Sequence, residues 1–160
     1  MKVSIITVCY NSAATIRRTI ESVLWQTYQD IEYVIVDGAS KDETLQIIKE
    51  YQKLFGERMK LVSEPDKGIY DAMNKGIRLA GGGLLGILNS DDFYEPMAVE
   101  YMVNSMTDDK YQILYGFMRS IRDNVEFSID RRSHKFLREG MINHPACFVT
   151  KAVYEEYGCF

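Results

Sequence analysis

Asp91 and Asp92 stand side by side at the end of an apolar run, Leu84 to Leu88. Adjacent carboxylates repel each other, and both stay ionised readily only if something cationic sits close. A hard divalent ion such as Mg²⁺ or Mn²⁺ suits them, because it takes oxygen ligands and commonly bridges one or two carboxylates to substrate phosphates. The plainer alternative is an exposed turn that caps the helix opening near Pro96. Asp37 closes a second apolar run, Tyr33 to Val36. A carboxylate there is well placed to hold a ribose or a base edge, although Gly38 and Ser40 also fit an ordinary turn. Lys67, in Asp66-Lys67-Gly68, has the charge for a phosphate or a base carbonyl, or for solvated surface. His144 precedes Pro145, which keeps the chain extended, so its ring can face the same crevice. His134 reads as surface.

Other chemistries lack their residues. Gly81-Gly82-Gly83-Leu84-Leu85-Gly86 matches G-x-G-x-x-G literally. The dinucleotide fingerprint must follow a strand and open a helix. Here a helix precedes and a strand follows, so these glycines read as a helix stop and tight turn. No Walker A lysine motif and no Ser-His-Asp or Cys-His arrangement is readable. Cys9, Cys147 and Cys159 lie at no metal-ligand spacing. Their odd number, with no C-x-x-C, favours free thiols in a reducing compartment.

The elements that must position these residues alternate between strand and helix. Val3 to Val8, Ile31 to Val36, Met59 to Ser63 and Leu84 to Leu88 read as strands. Between them come a helix with Ile16, Ile20, Val23 and Leu24 on one face, one with Leu45, Ile48, Tyr51 and Phe55, and one with Ile69, Met73, Ile77 and Ala80. Ser12 is expected to cap the first, and Ser40 with Glu43 to form a capping box on the second. Asp42 reads as a first-turn residue there. Asn74 and Arg78 fall on the exposed side of the third. Pro96 opens a helix through about Met106. Gln112 to Tyr115 and Val125 to Ile129 read as strands flanking a turn at Asp123-Asn124, and Ala146 to Thr150 as one more strand. The alternation implies an α/β three-layer sandwich with a mostly parallel sheet. Ligands bind such sheets outside the carboxyl ends of the strands. Tyr10-Asn11, Asp37 and Asp91-Asp92 all follow strands and should therefore converge.

The chain has 160 residues, one domain's worth, and 46 % of them are hydrophobic, enough for a real core. Its net charge of −4 argues against a nucleic-acid partner. An anionic small ligand stays compatible, since a metal can supply local positive charge. Met1-Lys2 leads directly into the first strand, so no signal peptide is expected. No run approaches the ~20 apolar residues of a membrane span. The expectation is a cytoplasmic protein, with peripheral association at the inner membrane face left open.

Val3-Ser4-Ile5-Ile6-Thr7-Val8-Cys9-Tyr10-Asn11, Gln26-Thr27-Tyr28, Val36-Asp37-Gly38-Ala39-Ser40-Lys41-Asp42, Asp66-Lys67-Gly68-Ile69-Tyr70-Asp71-Ala72-Met73-Asn74 and Leu88-Asn89-Ser90-Asp91-Asp92 together resemble the family 2 glycosyltransferases of the GT-A fold. The likeness spans residues 3 to about 96 and continues more weakly through Asn143-His144-Pro145. It implies inverting transfer of a sugar from a nucleotide diphosphate, commonly UDP, to an acceptor hydroxyl on a glycan or lipid-linked acceptor. It implies a donor-binding set of Val8, Tyr10, Asp37, Lys67, Asp91 and His144. Tyr10 would stack near the uracil, Asp37 would contact the base or ribose, and Lys67 would line the nucleotide pocket. Asp91 would approach the ribose and diphosphate, Asp92 would ligate Mn²⁺ or Mg²⁺ with it, and His144 would lie near the diphosphate or acceptor.

The chain departs from that family in two ways. Asn89 stands where many relatives carry an acidic residue, and an amide oxygen is a weaker metal ligand. The family's base is an aspartate shortly after a stretch like Gly158-Cys159-Phe160, so the base is expected beyond Phe160, with Glu139 the candidate within the chain. On this view residues 1–96 are the nucleotide-sugar half and 97–160 the start of an acceptor-side half. The rival is a non-catalytic nucleotide-sugar-binding module on the same scaffold. A nucleotidyltransferase would need a glycine-rich, Arg/Lys-bearing loop after Val8, which is not seen.

Overall fold

The computed structural model describes residues 1–122, 125–138, 140 and 142–160. The central sheet holds β1 (Val3–Cys9), β2 (Ile31–Asp37), β3 (Met59–Ser63), β4 (Leu84–Ile87), β5 (Ile113–Tyr115) and β8 (Cys147–Thr150), while β6 (Met118–Arg122) and β7 (Val125–Asp130) form a separate hairpin. The strand order is β3-β2-β1-β4-β8-β5. The first four strands are parallel, and β8 runs antiparallel to both β4 and β5.

β1 and β2 are buried along their whole length, as strands covered on both faces must be. Successive side chains then enter opposite cores. Val3, Ile5 and Cys9 of β1 pack with α1 (Ile16–Leu24) and α2 (Thr44–Phe55), and Val99 of α4 (Ala98–Asn104) joins them. Ile6 and Val8 pack beneath Ala72, Met73 and Ile77 of α3 (Ile69–Leu79). Tyr154 of α5 (Lys151–Tyr157) closes that second core. The result is the expected three-layer α/β sandwich. Among the described residues no helix is long and apolar enough to cross a membrane.

Register lines up the strand ends that matter. Cys9 lies opposite Asp37, and Asp37 opposite Ser63. Ile6 lies opposite Ile87, so the chain leaves β4 at the same edge.

The structure corrects several local expectations. Ser40 and Glu43 form no capping box, because the Ser40 hydroxyl goes to Asp37 while Asp42 Oδ1 accepts the Thr44 N–H at 3.0 Å. Ser12 places no side-chain bond on α1; its hydroxyl meets Tyr10 O and Ser90 Oγ. Asn74 is half-buried and brackets the backbone of Phe160, donating to its carbonyl at 2.7 Å and accepting its N–H at 3.0 Å. α4 stops at Asn104. The strand over residues 112–115 does not pair with that over 125–129. β5 pairs with β8, and the partner of β7 is β6, a strand the pattern did not announce. β6 has Arg119 and Arg122 exposed and no fully buried residue, so it lacks the one-sided alternation that marks a half-buried strand. The turn expected at Asp123-Asn124 lies outside the described residues.

α3 approaches β1 closely at Gly76. A Cβ there would stand 2.3 Å from Ile6 Cγ2. Gly76→Ala should therefore lower stability by about 1–3 kcal/mol through overpacking. A urea melt checks this: the midpoint should fall with the slope unchanged, and an unmoved midpoint would contradict the tight α3–β1 contact.

Candidate functional site

The turn after β4 is fixed by the inner face of α1. Thr19 is buried, and its Oγ1 lies 2.9 Å from Ser90 O and 2.7 Å from Asp92 O. Ser22 Oγ accepts the Tyr94 N–H at 3.1 Å. Gln26, also buried, donates to Glu95 O at 2.8 Å and accepts from Val99 N at 3.0 Å. These bonds hold the backbone from Ser90 to Val99. They leave the Asp91 side chain exposed and Asp92 half-buried. His144 opens a short 3₁₀ turn, His144–Ala146, and its Nε2 lies 3.0 Å from Asn89 Nδ2. Burial lowers the pKa of His144, with Asp91 acting the other way. The net effect favours the neutral ring.

A second group forms where β1 and β2 end. Asp37 is fully buried. Its carboxylate accepts from Ser40 Oγ, from Ser40 N at 3.2 and 3.3 Å, from Ser63 Oγ at 2.6 Å and from Cys9 Sγ at 3.8 Å. Burial, then Asp37, push the Cys9 thiol well above its usual pKa, so it stays a protonated donor. Asp37 therefore works beneath the surface, tying three strand ends together. Val8 lies in the core under α3. The loops above are cross-tied: Asn11 N donates to Ser40 Oγ at 2.9 Å, Lys41 N to Asn11 Oδ1 at 2.8 Å, and Ala13 N to Asp42 Oδ2 at 3.0 Å. Asn11 and Ala39 take positive φ, 49° and 62°.

What reaches the surface there is Tyr10, 61 % exposed, and Asp66. A Cβ on Gly38 would lie 2.6 Å from Asp66 Oδ2 and 3.4 Å from Tyr10 Cδ2, so ring and carboxylate flank this glycine. Asp66 is the residue sequence reasoning missed. An aspartate in a Pro-Asp-Lys-Gly loop has no periodicity to mark it, and only its nearness to Gly38 reveals its place. Its Oδ1 accepts the Gly68 N–H at 2.9 Å. Lys67 beside it is exposed, with its N–H on Asp71 Oδ2 at 3.1 Å. Ser12 Oγ and Ser90 Oγ meet at 2.8 Å, joining this loop cluster to the carboxylate turn. The structure thus gathers Tyr10, Lys67, Asp91, Asp92 and His144 along one edge, with Asp37 and Val8 beneath it.

A cleft of about 420 Å³ opens beside Asp91 and Asp92, between Arg18, Phe93 and Glu95 on one side and the residues around β6 on the other. Arg18 stacks over the Phe93 ring at 3.6 Å. Glu95 is ion-paired with Arg119. Glu139, the candidate base within the chain, lies outside the described residues.

The donor set at Asp91–Asp92 is all oxygen, as Mg²⁺ and Mn²⁺ require. Asn89 Oδ1 is buried with no hydrogen-bond partner, adding an unsatisfied oxygen at the turn. Among the described residues no group of three His, Cys, Asp or Glu gathers closely enough to hold a metal. A cation held by this pair needs its remaining ligands from phosphate and water.

Burial, and next the charge of Asp91, push Asp92 up to about 6, while the Asn89 amide acts in the other direction. A carboxyl raised above its unfolded value costs stability when ionised. That cost is absent below about pH 4, grows as pH rises towards 6, and is complete above it. Asp92→Asn removes the charge. It should be more stable than wild type by about 1–2 kcal/mol at pH 7, and the gap should close by pH 4. Thermal melts across that range check the prediction; a less stable variant at pH 7 would contradict the burial of the charge.

The whole chain then finds its relatives. It matches Glycosyl transferase family 2 over residues 4–154. It is 35 % identical to a PGL/p-HBAD biosynthesis glycosyltransferase of Mycobacterium bovis over 161 aligned positions, covering 97 % of this chain and 61 % of that protein. It is 41 % identical over 107 residues to a chondroitin synthase of Escherichia coli, covering 67 % of this chain and 16 % of that protein. The chain therefore spans less than two thirds of either relative. In three dimensions it resembles S. aureus TarS residues 1–349 in complex with UDP-GlcNAc, with a TM-score of 0.81 at 19 % identity over 98 % of this chain and 47 % of that one. It also resembles the mannosyltransferase PcManGT from Pyrobaculum calidifontis in complex with GDP-Man and Mn²⁺, with a TM-score of 0.79 at 21 % identity over 99 % and 47 %. The fold is the GT-A one expected. A match that runs from Ser4 to Tyr154, through every loop that builds this edge, makes the chain a member of glycosyl transferase family 2.

Proposed function

We propose that this chain binds a nucleoside diphosphate sugar, of the uridine type, along the edge from Tyr10 to Asp92 and transfers the sugar with inversion to an acceptor hydroxyl in the adjoining cleft. The observation that carries the reading is the Ser12–Ser90 contact, which sets the Tyr10–Asp66 notch and the Asp91–Asp92 turn side by side. The Tyr10 ring offers a stacking face for the base, and the Asp66 carboxylate accepts from a base N–H. Lys67 adds a cation at the same end, and Asp37 holds the floor. Asp91 and Asp92 would hold a divalent ion, which when bound neutralises the leaving diphosphate. With the Asn89 amide nitrogen donating to Nε2, His144 keeps its proton on Nδ1 and can give that hydrogen bond to diphosphate or acceptor. Inversion requires a base opposite the leaving group. Among the described cleft carboxylates Glu95 is held by Arg119, and Asp91 and Asp92 are assigned to the metal and diphosphate. Kinship with a chondroitin synthase and a PGL/p-HBAD biosynthesis glycosyltransferase supports a glycan or lipid-linked acceptor in cell-surface polymer or glycolipid synthesis.

A thermal-shift panel of UDP, GDP, dTDP and CDP, with and without Mn²⁺, tests the reading. UDP at ~100 times its dissociation constant should add about 2.7 kcal/mol of stability, with a larger shift when Mn²⁺ is present. Gly38→Ala should weaken that UDP response by pushing Asp66 and Tyr10 apart. No shift from any nucleoside diphosphate with metal present would overturn the donor site.

A further inference from the structure

The β6–β7 hairpin carries an unusual surface. β7 exposes Val125 at 65 %, Phe127 at 61 % and Ile129 at 42 %, and Phe117, just before β6, is 68 % exposed. A two-stranded hairpin is at best marginal alone in water, and large apolar side chains left together in solvent mark an interaction surface. Two of these rings lie under guanidinium groups: Arg122 over Phe127 at 5.3 Å and Arg131 over Phe117 at 5.5 Å. Charge is also unevenly placed. Residues 111–138 hold six Lys and Arg of the chain's 19, and three Asp and Glu of its 23. This stretch is therefore net +3 in a chain that is net −4, which leaves −7 elsewhere.

We propose that the β6–β7 hairpin docks on anionic lipid headgroups and turns the cleft beside Asp91–Asp92 towards a lipid-borne acceptor. The docking itself stands independently; only the acceptor clause rests on the transferase reading above. Exposed aromatic and branched side chains enter the headgroup–acyl boundary, where amphipathic rings gain most. Arginines beside them meet lipid phosphates by charge-assisted hydrogen bonds. The acidic remainder is repelled from the same surface, so the molecule approaches hairpin first. Gly116, Phe117, Met118, Arg119, Ser120 and Ile121 also wall the cleft, so a docked hairpin brings the cleft to the bilayer surface.

Co-sedimentation with vesicles tests this without any nucleotide, so its result is separate from that of the donor site. Wild type should partition onto phosphatidylcholine vesicles containing phosphatidylglycerol at least about tenfold better than onto phosphatidylcholine alone, and should be released by added salt. Arg122→Glu with Arg131→Glu should weaken binding by roughly fivefold or more per residue. Val125→Ser with Phe127→Ser should weaken it without changing the salt dependence. Lys49→Glu with Lys53→Glu, on exposed positions of α2, should change it little. The proposal falls if wild type ignores anionic vesicles, binds neutral ones equally, keeps its affinity in the hairpin variants, or loses as much through the α2 control.

Discussion

One buried hydroxyl organises the edge on which everything else depends. Asp91 and Asp92 are neighbours of like charge, and among the described residues neither forms an ion pair. Their backbone must therefore be held by neutral groups. Thr19 lies between two carbonyls of this turn, shares its hydroxyl proton between Ser90 and Asp92, and is sealed from water. Low local polarity makes such a bond strong and its loss costly. Ser22 and Gln26 repeat the device one and two turns on. The inner face of α1 thus packs through Ile16, Ile20 and Val23 and, along its adjoining edge, clamps the backbone through Thr19 and Ser22. The cost of the arrangement is visible in Asp92, whose carboxyl is displaced towards its neutral form. Cationic charge brought close to this pair would favour its ionised form.

The second carboxylate system works by the opposite logic. Asp37 is more deeply buried than Asp92, yet it is surrounded by donors from Cys9, Ser40 and Ser63. A buried carboxylate is tolerable when its oxygens are satisfied in this way. It joins β1, β2 and β3 at their carboxyl ends, and the loops above take backbone conformations with positive φ at Asn11 and Ala39. Tyr10 is left exposed and Asp66 half-buried beside Gly38. Asp37 is thus spent on tying the strand ends together, while Asp66 keeps part of its carboxylate at the surface.

The sequence made the first half of the fold readable because its strands are covered on both faces. Val3 to Val8 is mostly apolar and Tyr33 to Val36 wholly so, and α1, α2 and α3 each show one apolar stripe. The second half is less legible for a physical reason. β6 and β7 face solvent, so no burial constraint shapes their alternation, and the pairing partner of β7 could not be inferred. The helix starts misled in a different way. Ser12 and Ser40 have the residue types of caps, but their hydroxyls go to Ser90 and Asp37, and it is Asp42 that takes the first N–H of α2. The placing of Asp37 at the end of β2 and of Asp91 and Asp92 just after β4 was legible in the sequence. That of Asp66 was not, because it sits in a loop and reaches the site only through space.

The most direct test of the central claim is a two-dimensional ¹⁵N–¹H spectrum of the protein with UDP and a trace of Mn²⁺, whose unpaired electrons broaden nearby amide signals. Ser90, Asp91, Asp92 and His144 should broaden first, and only when UDP is present, while Lys49 and Lys53 on α2 stay sharp. Broadening centred elsewhere, or spread evenly over the acidic surface, would contradict that claim.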